Sequence, residues 1–207
     1  VLSLGVLSAA EPNVATTDEV AELTRGPAPA WVEPVEWVPS RAARPGFPGE
    51  VLLSDSQNLL RDEGCDFYYR VVTRLLNREG VQQNAEETVT FSPEYQSIVW
   101  HTLKVHRGGE VIDLLPKVRF KRLQRELGLE GKVYDGRVTA VAVLEDIRVG
   151  DIVEIAYTRR DTNPLTKNYP TLRLSIGAGY PVVRQTVVAR RPADQSKLTW
   201  YFFLPPD

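Results

Sequence analysis

Residue types that carry much of enzyme chemistry are nearly missing from this sequence: 207 residues include one cysteine, two histidines and no methionine. A single cysteine, Cys65, excludes an internal disulfide and a thiolate metal cluster. It leaves the compartment open. The missing methionine removes the initiator, so a fragment or a processed form is expected. A basic excess is missing too. The net charge of −2 argues against sequence-independent binding to a phosphate backbone. Arg119, Lys121, Arg122 and Arg125 do cluster, but in an acidic chain they read as a solvated strand face. No run approaches the ~18–20 apolar residues of a membrane-spanning helix. No phosphate-binding glycine loop, dinucleotide fingerprint, calcium-binding loop or nucleophile elbow occurs.

What is present suits a globular body. Apolar residues make up 43% and charged residues 25%, both ordinary proportions. Residues 1–10, VLSLGVLSAA, are small and apolar and run into Glu11-Pro12. They read as the end of a secretory signal. Residues 11–30 read as a linker closing on RGPAPA. Residues 31–49 form a strap, in which Trp31 and Trp37 lie six apart. On an extended segment that even spacing places both indoles on one side, and Pro34 and Pro39 suit a strap laid over a sheet. The strap is expected to dock these tryptophans on the body.

Residues 50–207 form that body. From Cys65 onward the pattern is β. Strands are expected over 65–76, after a turn at NREG (77–80) on to residue 92, and over 96–107. After the Gly108-Gly109 hairpin they continue over 110–116, 136–147, 152–160, 171–176, 181–192 and 197–205. Residues 118–127 fit a helical stripe or a strand, with the extended form favoured. Gly150-Asp151 makes a tight turn, using a positive φ and a side-chain bond to the backbone. Short strands at turn-punctuated spacing imply an all-β, two-sheet antiparallel β-sandwich with an extended, tryptophan-containing N-terminal strap.

His101 and His106, in HTLKVH, are the natural place to look for chemistry. Their odd spacing on a regular strand points them to opposite faces, so they share no metal and form no couple. On that alternation Val99, Leu103 and Val105 share a face with His101, and Ile98 and Trp100 share one with His106. Glu110 lies within reach of His106 across the hairpin. Cys65 follows RDEG and has Asp62, Glu63 and Asp66 as neighbours. They raise a thiol pKa, so Cys65 reads as a small packed residue. No catalytic residue, metal site or cofactor is assigned. The loop RRDTNPLTKNYP (159–170) is long enough to carry recognition. With the strap it supplies the candidate binding residues: Trp31, Trp37, Arg159, Arg160, Asn163 and Tyr169.

Three longer runs carry a resemblance. YYRVVTRLLNREGVQQNAEETVTFSPEYQSIVWHTLKVHRGGEVIDL, YDGRVTAVAVLEDIRVGDIVEIAYT and YPVVRQTVVARRP resemble the bacterial domain of unknown function that precedes transglutaminase-like, cysteine peptidase-related domains. The similarity spans about residues 50–207, and VGDIVEIAYT and the NREG hairpin are its most specific parts. It implies an exported, periplasmic or secreted, β-sandwich. It also implies a partner in the same chain, a C-terminal transglutaminase-like domain with a Cys-His-Asp triad. None of that triad lies in these residues, and Cys65 is not its nucleophile. The expected function is therefore a non-catalytic module that positions or assists the catalytic domain, with a protein or glycan ligand as a further partner. The alternative is a stand-alone carbohydrate- or peptide-binding sandwich using exposed aromatics such as Trp31, Trp37 and Trp100.

Overall fold

The computed structural model describes residues 23–38, 44, 46–123, 136–165 and 179–191. The expected signal segment, Tyr169 and the strands expected at 171–176 and 197–205 lie outside the described residues. The elements in chain order are β1 (Leu23–Arg25), β2 (Gly49–Arg61), β3 (Gly64–Leu75), α1 (Arg78–Gln83), β4 (Glu86–Phe91), β5 (Gln96–Arg107), β6 (Glu110–Asp113), β7 (Phe120–Leu123), β8 (Val138–Val143), β9 (Ile152–Asp161) and β10 (Gln185–Arg190).

Two sheets form, as expected. The larger runs β1-β5-β9-β3-β2-β10, with β6 paired to β5, and the smaller runs β4-β8-β7. The pairings differ from the expected antiparallel ones only at the borders of the large sheet. There β1 runs parallel to β5 and β10 runs parallel to β2. Parallel partners need long connections, and both of these join segments far apart in the chain.

Several local differences have plain causes. Leu23–Arg25, inside the stretch read as linker, forms β1. The NREG turn opens a short helix: Asn77 caps it, its Oδ1 accepting the Gly80 N–H at 3.0 Å. β2 begins within the strap and runs through VLLSDSQNLL, which its polar residues kept from reading as a strand. β8 stops at Val143; just beyond it the Leu144 N–H turns to the Ala85 carbonyl, and Asp146 takes φ 58°.

Residues opposite one another in register share a face, and this gives the large sheet two unlike sides. The inner side carries Trp100, Leu103 and Val105 of β5, with Val153, Ile155 and Tyr157 of β9. They pack against Val89 and Phe91 of β4, Phe120 of β7, and Val138 and Ala140 of β8. Trp100 is 1% exposed; its ring lies 4.9 Å from Phe120 and 5.3 Å from Tyr157. Burying a side chain of this size contributes about 3 kcal/mol.

The outer side carries Asp55 and Gln57 of β2, Tyr68, Arg70 and Val72 of β3, and Glu154 and Thr158 of β9. Residues 33–38 cross it without joining a strand ladder. Between β8 and β9 the chain turns at Gly150, φ 94°. Buried Asp151 accepts the Arg148 N–H at 2.7 Å and a bidentate pair from Arg107 at 2.8 and 2.7 Å. Burial alone would raise the Asp151 pKa, but the Arg107 bonds and the Arg148 amide hold it below the ordinary carboxylate value.

Candidate functional site

The histidines do not point to opposite faces. At His101 the register of β5 slips: Trp100 faces Tyr157, while Thr102 faces Ala156. The extra residue of this bulge reverses the alternation. The inward set is Ile98 and Trp100 before it and Leu103 and Val105 after it. His101 and His106 therefore both project from the outer face, along with Val99. They remain apart for another reason. His101 meets Thr158 and His106 meets Glu154, and four residues of β9 span about 13 Å.

Around His101 each nitrogen is satisfied. Nδ1 donates to the Gly26 carbonyl at 2.8 Å, since a carbonyl only accepts. Nε2 then accepts from the Thr158 hydroxyl at 2.7 Å. The Tyr68 ring stacks on the imidazole at 5.9 Å. Burial lowers the His101 pKa and pushes the Tyr68 phenol up to about 12. A hydroxyl, an imidazole and an orienting acceptor are thus in line, but Thr158 is buried.

Around His106 the chemistry is ionic. Glu154 Oε2 meets His106 Nε2 at 2.7 Å, and Oε1 accepts from Arg70 Nε at 2.9 Å and Nη2 at 2.7 Å. Arg70 Nη1 reaches on to the Val35 carbonyl at 2.7 Å. The Trp37 ring stands edge-on to His106 at 5.2 Å. Glu110, the partner suggested by the hairpin, is exposed. Val35 and Trp37 sit in an apolar seat of Leu52, Leu53, Val72 and Ile152.

The strap is gripped through its main chain. Gln57 Oε1 accepts the Glu33 N–H at 2.9 Å, and Gln57 Nε2 donates to the Glu33 carbonyl at 2.7 Å. Gln57 is 0% exposed, and its amide is oriented by Asp55 Oδ2 at 2.9 Å. Asp55 is held in turn by the Thr186 hydroxyl. Arg184 Nη1 donates to the Glu36 carbonyl at 2.9 Å. One side-chain contact adds to these: Arg190 pairs with the Glu33 carboxylate at 2.8 Å.

The remaining candidates are dispersed. Trp31 is half-buried in a turn closed by Val32 N–H to the Pro29 carbonyl at 3.0 Å. The turn breaks the extended run, so the even spacing from Trp37 loses its meaning. Trp100 is in the core and cannot join an exposed platform. Arg159 faces inward, over Phe67 at 5.4 Å, whereas Arg160 faces outward near Asp66 at 3.9 Å. Asn163 is half-buried, its Oδ1 accepting the Leu165 N–H at 2.9 Å. Cys65 is on the inner face, opposite Leu60 and Asp161. Burial, then Asp66 and Asp161, push its thiol up to about 11. No group of three or more metal-ligating side chains occurs among the described residues, and none of their helices is long and apolar enough to cross a membrane. Sequence reasoning missed Gln57, Arg70 and Glu154. Their one signal is polarity inside β-rich runs, which reads equally as solvent exposure.

Residues 61–205 match the model of a family described as "Domain of Unknown Function with solved-structure structure (DUF3857)". No curated protein matches the sequence. A crystal structure of a "putative protease" from Parabacteroides distasonis is similar at 13% identity and a TM-score of 0.49, over 55% of this chain. The match spans 23% of that protein's length.

Proposed function

The chain belongs to the DUF3857 family, and on that premise we propose that it is a non-catalytic positioning module. It docks on a transglutaminase-like, cysteine peptidase-related domain of the same exported protein and helps shape its substrate cleft. The observation that supports this reading is the placement of the reactive groups. The chain's one thiol lies on the inner face of the large sheet, and both imidazoles lie on the outer face. A thiol and a base must meet within hydrogen-bond reach to form a nucleophile, and here the sheet separates them. The outer face instead spends its polar groups on gripping extended main chain, which is the work of an interaction surface.

The test is to assay the 207-residue chain for hydrolysis and transamidation of glutamine-containing peptides, then to add the transglutaminase-like domain in trans. The expected result is no turnover by the module, and binding that raises kcat/KM of the added domain. Turnover by the module alone that disappears in Cys65→Ala would overturn the proposal, as would failure to bind the domain.

A further inference from the structure

The outer face holds residues 33–37 as a receptor holds a ligand. Four of the hydrogen bonds to this segment engage main-chain atoms: Gln57 accepts one and donates one, and Arg70 and Arg184 donate one each. Such bonds are blind to sequence. The donors are set in advance of the strap: Asp55 orients Gln57, and Glu154, itself held by His106, orients Arg70. Selectivity comes from three places. Arg190 takes a carboxylate at Glu33, and the seat of Leu52, Val72 and Ile152 takes an aliphatic at Val35 and an aromatic at Trp37. The segment adds no strand to either sheet, so its release breaks no ladder.

We propose that this face is a binding site for an extended peptide segment of another polypeptide, and that residues 33–37 occupy it as a tethered pseudo-ligand. The ligand carries a carboxylate, an aliphatic residue two positions later and an aromatic residue two positions after that. Charge favours this occupant, because Arg184 and Arg190 border the seat. A tethered segment competes at an effective concentration in the millimolar range, so the chain's own strap masks the site. This inference stands apart from the catalytic-domain reading and can be tested with no second domain present.

The probe is a fluorescein-labelled peptide of residues 31–38, WVEPVEWV, followed by anisotropy against the full 207-residue chain. Binding is expected to be weak to the unaltered chain and about ten-fold or more tighter to Trp37→Ala, in which the strap loses its anchor and the seat stays intact. Adding Gln57→Ala to Trp37→Ala should abolish the gain, and a scrambled peptide should not bind. No binding by a Trp37→Ala chain that melts cooperatively overturns the proposal, as does equal binding of the scrambled peptide. Val35→Ala replaces Trp37→Ala if the latter does not fold. If neither folds, the strap is part of the core and the proposal fails. Strap-exchanged dimers seen by light scattering would assign the seat to a second copy and also overturn it.

Discussion

The two faces of the large sheet are built on the same strands and do different work. On the inner face, Trp100, Leu103, Val153 and Ile155 meet the small sheet in a continuous apolar layer. On the outer face the same strands offer Arg70, Glu154, Thr158 and both histidines to a strap and to one another. Apolar contact is non-directional and scales with area, so the inner face supplies stability. Hydrogen bonds add little net free energy each but demand geometry, so the outer face supplies placement. On the small sheet, one carboxylate facing the core departs from this division. Glu87 of β4 is directed at the core, opposite Ala142. Its carboxyl is pushed up to about 7 by burial, and it raises the Tyr69 pKa further, after burial itself.

The sharpest way to break the comparison is to remove the inner anchor. Trp100→Ala should cost about 3–5 kcal/mol, seen as a fall in the urea midpoint with an unchanged slope. A loss under about 1 kcal/mol would mean that the inner face does not dominate.

Glu87→Gln tests the exception. The folded-state pKa lies above the ordinary value of 4.5, so the folded state binds the extra proton. Stability should therefore fall as pH rises from about 4.5 to about 7, then level off. The substitution should remove that slope and stabilise the chain at pH 8 by about 3 kcal/mol. Denaturant melts of both proteins at pH 4, 6 and 8 check the sign.

On the outer face, Arg70→Ala strips Glu154 Oε1 of both its guanidinium bonds and frees the Val35 carbonyl. We expect a loss of about 2 kcal/mol. It should appear first as faster hydrogen exchange in residues 33–38, ahead of the amides of β5 and β9. Uniform acceleration across both regions would erase the distinction between the faces. Arg190→Ala should do least. Glu33 is exposed, and such pairs contribute under about 1 kcal/mol, so only strap exchange should respond.

Much of the fold was legible from residue order. β5 was expected over 96–107 and is found there, because each short stretch shows its preference in its own residues: β-branched and aromatic side chains crowd this run. The Gly150-Asp151 turn was legible for the same local reason. β2 was not. Ser54, Asp55, Gln57 and Asn58 look solvated in the sequence, and Asp55, Gln57 and Asn58 become buried through partners from β10 and the strap. For the candidate site, Trp37 and its docking were legible, but the residues that grip the strap were not.

By itself, the sequence determined the β character, most strand positions and the strap, since backbone preference and side-chain alternation act within a few residues. Tertiary structure alone decided which faces those side chains reached. A single bulged residue at His101 moved the inward set from even to odd numbers and brought both imidazoles to one side. The energy of that choice lies in contacts with β9 and the small sheet, which no local pattern encodes.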